Sequence, residues 1–408
     1  MFTLHPSFWR TSALAMAIGL LSPLTSLAAP LTEGEALRRA LARPELAELA
    51  RARVAEADAD VVAASTWANP ALEFSRDKTG ASRETAWRLA QPLDVSGRRG
   101  LRQDAARLRL DATEADTRTG RVERAAEVRR SFHEVLRQQL AVNVMDAWRA
   151  RFAVIGSVVD KLARAGDASG YDRRRLAREQ QAAEAKTAEA RAGLERSRAR
   201  LAALIGSEPT EEGVSGALLP TLPAGLPALQ ARLAQRPDLA ALAARAEAAN
   251  ADNAAAQRNF PELTVGIGGK RTDDGLLRES GTLFSVSMAL PIFDRQQGAE
   301  QRSAAQAQAA RAEQALTRQK AEGELIGLHR QLVQLIAAAE RYRREAVAPS
   351  ADLVRIAETA YRAGESTILE LLDAYKGALE AETTALDLEG KARDARIELD
   401  QLTGSHPE

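Results

Sequence analysis

The segment that decides the fold is Thr282–Ile292, which reads TLFSVSMALPI. Phe284, Val286, Met288 and Leu290 stand at every second position, and the residues between them are mostly small or polar. Successive side chains of a β-strand point to opposite sides of the sheet. The alternation therefore predicts a strand with one apolar face. Its length suits a tilted membrane-spanning strand of about ten residues, and we expect these four side chains to face lipid.

Three further segments show the same alternation, at about 262–271 and, more weakly, at about 71–77 and 84–93. Each segment taken alone also fits a soluble hairpin packed on helices, and that interpretation stays open. Four strands are too few to close a membrane barrel, which needs about eight. If these strands contact lipid, the chain must form oligomers, and two, three or four copies would all supply enough strands.

The chain is built from two related halves. Arg43-Pro44-Glu45-Leu46 recurs as Arg236-Pro237-Asp238-Leu239, and Ala165-Gly166-Asp167 recurs as Ala363-Gly364-Glu365. Recurrence of this kind indicates a duplicated structural unit. We assign residues 29–215 to the first repeat and residues 216–408 to the second, because a Pro- and Gly-rich linker lies between their helices.

Each half is predicted to continue into a long helical hairpin, at about 98–204 and about 295–402. Apolar residues in the first hairpin recur every three or four positions, which places them on one side of a helix that faces another helix. They are Leu136, Leu140, Val144, Trp148, Phe152, Ile155, Val159 and Leu162. Pro349 is expected to break or kink the second hairpin. On the helices alone, a soluble coiled coil is the favoured interpretation, and the strands are what change it.

The N-terminus has the features of a secretory signal. Arg10 precedes the apolar run Ala13–Leu21, and small residues lead to Ala28. The run is shorter than the roughly 20 residues that span a bilayer. We therefore expect residues 1–28 to be a signal peptide that is removed after Ala28.

Composition excludes several classes of function. The 56 basic and 56 acidic residues balance, so no net positive charge is available to hold nucleic acid. The absence of cysteine excludes thiol catalysis, thiolate metal sites and a lipid-modified cysteine. The histidines do not form a metal-binding motif and no G-x-S-x-G run occurs. We therefore predict no cofactor, no metal site and no enzymatic activity.

These features together resemble the TolC-like family of outer-membrane efflux proteins. The resemblance rests on the duplicated order of helix, two strands and long hairpin, on the strand entry Asn69-Pro70-Ala71-Leu72, and on the turn Tyr361–Ala374, YRAGESTILELLDA. The segment Gln91–Arg99, QPLDVSGRR, is similar to the strand exit of the heavy-metal branch, the cobalt-zinc-cadmium or CzcC-like proteins.

The resemblance implies a fold that is mainly α with a small β part. It implies a homotrimer whose strands form a 12-stranded β-barrel in outer-membrane lipid, continued by a periplasmic α-helical barrel. Such a protein is a passive exit duct that works with a periplasmic adaptor (membrane fusion) protein and an inner-membrane pump of the RND type. The cargo implied is heavy-metal cations. A duct for drugs or other small molecules is the first alternative, and a soluble periplasmic adaptor or scaffold is the second.

The resemblance also assigns roles to the ends of the hairpins. It implies that Asp172, Glu370 and Asp373 narrow the periplasmic end of the duct, where rings of negative charge favour cations. Asp172 and Glu370 also complete an S/T-x-x-D/E capping pattern, so capping alone is an alternative role for them. A solvated helix face is the alternative for Asp373. The residues expected to contact the adaptor form the two turns: Ala165, Gly166, Asp167, Ala168, Ser169, Ala363, Gly364, Glu365, Ser366 and Thr367.

Overall fold

The computed structural model describes residues 30–208, 213–258, 261–290 and 292–404, so the expected signal peptide lies outside the described residues. Within these ranges the chain is mainly helical with a small sheet, as predicted. Its first part contains α1 (Glu33–Leu41), α2 (Pro44–Ser65), β1 (Ala71–Thr79), β2 (Ser82–Leu93), α3 (Arg98–Ala165) and α4 (Gly170–Ile205). Its second part contains α5 (Leu226–Leu233), α6 (Pro237–Ala256), β3 (Leu263–Asp273), β4 (Arg278–Met288), α7 (Gln297–Tyr342), α8 (Ala348–Arg362) and α9 (Ile368–Leu402).

The strands form one antiparallel sheet in the order β1-β2-β3-β4. Its register places Leu72, Leu89, Ile267 and Phe284 opposite one another in a single row across the sheet. The pairing of β2 with β3 joins the two parts of the chain, because these strands are far apart in the sequence.

The strand bounds correct the prediction for Leu290. β4 runs from Arg278 to Met288, earlier than the predicted segment, and Leu290 lies beyond its end. The last pair of the ladder joins Leu263 to Met288. Pro261 stands two residues before Leu263 on the partner strand and has no N–H group to extend the ladder. Leu290 is exposed but does not belong to the strand.

Pro349 does not break the second hairpin, so this part of the expectation was wrong. A π-helical turn, Arg343–Val347, lies between α7 and α8 and makes the three segments continuous. In this turn the amide of Ala348 donates to the carbonyl of Arg343, five residues back. The altered register accommodates a proline, which lacks an amide hydrogen and crowds the preceding turn of a regular helix.

The apolar stripe predicted in the first hairpin is buried between the two hairpins. Trp148, Phe152, Ile155 and Val159 of α3 share a core cluster with residues of α4, α8 and α9. The ring of Tyr375 on α9 meets the rings of Trp148 and Phe152 edge to face, at centroid distances of 5.4 and 5.3 Å. The two hairpins therefore pack side by side along a common core.

Candidate functional site

One face of the sheet is apolar and uncovered. Leu72, Phe74, Phe284 and Val286 are 72, 70, 76 and 69% exposed. Leu89, Trp87 and Ile267 continue this surface across the central strands and are also exposed. We call it the apolar face of the sheet. A contiguous apolar surface of this kind marks a surface that contacts lipid or another protein.

The opposite face of the sheet is made mainly of small and polar residues, with Leu283 as an exception, and we call it the polar face. Arg88 donates to Glu73 on the neighbouring strand, with Nε 3.1 Å from Oε2. Gly268 lies where the backbones approach closely, since a Cβ atom there would stand 2.0 Å from the carbonyl oxygen of Trp87. A side chain at this position would collide with backbone that cannot move without disturbing β2.

Each hairpin turns through a glycine in the left-handed region. Gly166 has φ of 90° and Gly364 has φ of 76°. In both turns the following amide reaches five residues back, from Asp167 to Leu162 at 2.8 Å and from Glu365 to Ala360 at 2.9 Å. This is the Schellman arrangement, which closes a helix end and favours glycine at the left-handed position.

Asp172 and Glu370 are engaged as helix caps, which confirms the capping prediction. The amide of Asp172 donates to Ser169 Oγ at 3.1 Å, and the amide of Ser169 donates back to Asp172 Oδ2 at 3.0 Å. The second turn repeats the pattern, with the amide of Thr367 donating to Glu370 Oε2 at 2.8 Å. Both carboxylates thus satisfy backbone amides at a helix start and lie at the positive end of the helix dipole.

Asp373 lies one turn further along α9 and is exposed, and its carboxylate accepts no hydrogen bond from a side chain of the described residues. Most of the predicted adaptor-contact residues are also exposed; Ala168 and Ser366 are partly buried. The two turns lie near each other, because Ala168 of the first turn packs against the core cluster that contains Tyr361 and Ile368 beside the second turn. Tyr361 is also close enough to Asp172 to be affected by its charge. Burial and this negative charge raise the pKa of Tyr361.

A contact between the hairpins escaped the sequence analysis. Glu179 on α4 is 3.4 Å from Lys376 Nζ on α9 and 2.5 Å from Arg178 Nη2. The hydrogen bond from Arg178 is the main reason that the pKa of Glu179 is lowered. No local pattern could have revealed it, because the pairing depends on how α4 and α9 lie against each other. It joins the two hairpins close to their turns.

A buried group of charges lies further along the hairpins, away from the turns. Arg129 on α3 is 4% exposed and contacts Glu33 on α1 and Asp400 on α9, at 2.5 and 2.9 Å. His133 Nε2 is 3.1 Å from Glu33 Oε2. Burial lowers the pKa of His133 despite this carboxylate, while His133 and Arg129 hold the pKa of Glu33 at about 2 against the opposing effect of burial. The group ties the N-terminal helix to both hairpins.

No set of three or more histidine, aspartate or glutamate side chains in the described ranges is placed to hold a metal ion. Of the helices in the described part of the chain, none is both long and apolar enough to cross a membrane.

Comparison with known proteins gives a consistent result. Residues 228–405 match the family model described as outer membrane efflux protein. Over 341 residues the chain is 27% identical to the cobalt-zinc-cadmium resistance protein CzcC of Cupriavidus metallidurans, an alignment that covers 82% of this chain and 81% of that protein.

Two solved structures have the same fold. The outer-membrane channel OprN superposes with a TM-score of 0.78 at 21% identity, covering 92% of this chain and 90% of that one. CusC superposes with a TM-score of 0.78 at 19% identity, and the match covers 99% of this chain and 100% of the CusC chain. The CusC structures concern conformational changes that accompany folding and transmembrane channel formation.

Proposed function

We propose that this chain is a member of the outer membrane efflux protein family and the passive exit duct of a tripartite efflux system. It is a channel protein of the outer membrane that extends into the periplasm, and it is not an enzyme. The duct itself would do no chemical work, so the energy for export would come from an inner-membrane pump of the RND type.

The observation that carries this proposal is the uncovered apolar face of the sheet. Its residues Leu72, Leu89, Ile267 and Phe284 form a continuous row, and each is at least 43% exposed. In water such a surface would be costly, because burying apolar area contributes about 25 cal/mol per Å². In contact with lipid the same row is stable, and the polar face is left to line an aqueous passage.

We infer that the duct is a homotrimer. β1 and β4 are the edges of the sheet, and an edge strand in lipid needs a partner because its backbone groups cannot bond to water there. Three copies joined β4 to β1 would close a barrel of about twelve strands, and the hairpins would continue it as a helical barrel. The resemblance to the family selects three copies from the numbers that could close.

The turns between the paired helices are the proposed docking surface for a periplasmic adaptor. Glu365→Trp tests this better than a change at Gly364, whose left-handed backbone would be strained by any side chain. Export from cells should be lost while the assembled protein remains folded. A tryptophan at the exposed Arg200, far along α4 from its turn, is the control and should leave export intact. Normal export by the Glu365→Trp variant would remove the turn from the docking surface.

The proposed cargo is heavy-metal cations. CzcC is named for cobalt, zinc and cadmium resistance, and it aligns with most of this chain. The exposed carboxylate of Asp373, together with the capping carboxylates of Asp172 and Glu370, would place negative charge at the periplasmic end of the duct. Drugs or other small organic molecules are the alternative cargo.

Deletion of the gene tests the function in cells. We expect a deletion strain to lose tolerance to cobalt, zinc or cadmium salts and to regain it with the parent gene. Sensitivity to organic compounds without sensitivity to metals would select the alternative cargo. Unchanged tolerance to both classes, in a strain with no second duct of this family, would contradict the proposed function.

A further inference from the structure

Charged residues near the β1–β2 and β3–β4 turns are sorted between the two faces of the sheet. Two rows follow the apolar rows towards these turns. The first contains Arg76, Thr85, Arg271 and Ser280, and the second contains Lys78, Arg83, Asp273 and Arg278. By the alternation of the strands, all of these residues lie on the apolar face. Its turn-proximal edge therefore carries five cations and one acid.

The polar face has the opposite charge at the same level. The intervening row contains Asp77, Glu84, Thr272 and Glu279. Lys270 lies in the row before it and pairs with Glu84 at 2.5 Å. The two faces therefore carry opposite charge at the same distance from the turns. The excess of cations is confined to the apolar face and is not shared by all residues near the turns.

The ion pairs of the sheet leave most of these cations uncompensated. Arg278 is paired with Asp273 at 2.8 Å. Arg76, Lys78 and Arg271 form no ion pair with the residues that the structure describes. Arg83 lies opposite Asp273 and acts on its charge, but this carboxylate is already paired with Arg278. Closing the barrel would not supply a partner, since the β1 and β4 residues that would meet on this face at this level are Arg76, Lys78, Arg278 and Ser280.

We propose that Arg76, Lys78, Arg83 and Arg271 bind the phosphates of anionic lipid headgroups in the leaflet nearest the β-hairpin turns. This rests on the proposed function, which places the apolar face in lipid. Arg76 follows Phe74 by two residues, so the first cationic row lies about 7 Å beyond the last apolar row. That step brings a side chain from the acyl region to the headgroups, where long basic side chains extend to reach polar partners.

The occupant follows from the charge. A protein partner on this face would have to displace lipid from the adjoining apolar rows. An anionic lipid contacts the apolar rows and the cationic rows together, with its acyl chains against Phe74 and Phe284 and its phosphate against the cations. A guanidinium holds a phosphate through two parallel hydrogen bonds, which suits Arg76, Arg83 and Arg271. The site is therefore shaped for a phosphate that is attached to an apolar tail.

The test uses the full-length protein purified in detergent. Equimolar phosphatidylglycerol and phosphatidylcholine are added, and the lipids retained are counted by native mass spectrometry. We expect a several-fold preference for phosphatidylglycerol. The combined variant Arg76→Gln, Lys78→Gln, Arg83→Gln and Arg271→Gln should lose this preference. A control that removes the same charge from the exposed side of α4, Arg173→Gln, Arg174→Gln, Arg196→Gln and Arg200→Gln, should keep it.

Several results would overturn the inference. They are equal retention of both lipids by the parent, an undiminished preference in the sheet variant, or a preference lost equally in the control. Competition by inorganic phosphate at the lipid concentration would show a simple phosphate site instead. If the sheet variant fails to assemble, the pairs Arg76→Gln with Lys78→Gln and Arg83→Gln with Arg271→Gln are tested separately, and each should weaken the preference.

Failure of this inference can be distinguished from failure of the proposed function. A parent protein that conducts ions but does not prefer phosphatidylglycerol refutes only this inference. A parent protein that never enters membranes refutes the proposed function as well.

Discussion

The guanidinium of Arg129 lies 2.9 Å from the carboxylate of Asp400, and both side chains are buried. Arg129 belongs to the first hairpin and Asp400 to the end of the second, so this ion pair joins the two hairpins. Glu33 completes the contact from α1. Asp400 also pairs with Arg396 at 2.9 Å, but of these cations Arg129 contacts both carboxylates, so the group is most sensitive to its loss.

Arg129→Met should therefore destabilise the protein strongly. Removing one partner of a buried ion pair costs about 3–5 kcal/mol, and the remaining contact of Asp400 with Arg396 places the expected cost at the lower end. The control is Arg191→Met, which removes an exposed ion pair with Asp146 and should cost about 0–1 kcal/mol. Thermal unfolding of both variants in detergent measures the difference. Equal midpoints would contradict the assigned role of Arg129.

The same group predicts how stability depends on pH. The pKa of Glu33 is about 2 in the folded protein and 4.5 as its ordinary value. A depressed carboxyl pKa stabilises the fold above the ordinary value and loses that stabilisation as pH falls towards the folded value, so the loss should occur between about pH 4.5 and 2. It should be on the order of 3 kcal/mol. Glu33→Gln should flatten this part of the stability profile measured by thermal unfolding, and an unchanged profile would refute the assignment.

Gly268→Ala tests the close approach of β2 and β3. The added Cβ would stand 2.0 Å from the carbonyl oxygen of Trp87, so the strands must separate. Gly281→Ala on β4 is the matched control, because a Cβ atom there meets nothing within 4 Å. We expect assembled protein to be scarce in outer-membrane extracts of the first variant and normal for the second. Normal assembly of both would contradict the described pairing.

The acids at the turns can be separated into cap and pore roles. Glu370→Ala should lower the unfolding temperature, since it removes the carboxylate that accepts the Thr367 amide at the positive end of the helix dipole, a contribution of about 0.3–1 kcal/mol. Asp373→Asn removes a charge that makes no cap and should leave stability unchanged. If the acids line the entrance, the double variant should shift the single-channel reversal potential under a salt gradient towards anions. A reversal potential equal to that of the parent would restrict both residues to structural roles.

The sequence was sufficient where the signal is local. Alternation in Phe284, Val286 and Met288 predicted a strand with one apolar face, and the Ser169 and Thr367 patterns predicted capping boxes that the structure confirms. The sequence prediction was wrong where the end of a strand depends on the strand that it pairs with. Pro261 on the facing strand limits the ladder and leaves Leu290 outside it, and Pro291, which directly follows Leu290, was given too little weight in the sequence prediction.

Contacts between distant elements were also beyond the sequence. Arg129 reads as one charge among many on a long helix, and only the packing of α1, α3 and α9 buries it beside Glu33 and Asp400. The accommodation of Pro349 by a π-helical turn depends on backbone register in the preceding turn, which residue type alone does not determine. The sequence did not indicate that the cationic residues near the strand turns share one face of the sheet, because this depends on the register between the strands.

The central claim is that the apolar face of the sheet lies in lipid and lets the assembled protein conduct. Its most direct test is planar-bilayer recording of the purified protein, comparing the parent with Val286→Arg on the apolar face and Ser287→Arg on the polar face. Arginine in mid-membrane costs about 2–4 kcal/mol per copy. We predict stepwise conductance for the parent and Ser287→Arg, and none for Val286→Arg. Conductance that survives Val286→Arg, or a parent that stays in the soluble periplasmic fraction and never conducts, would contradict the account.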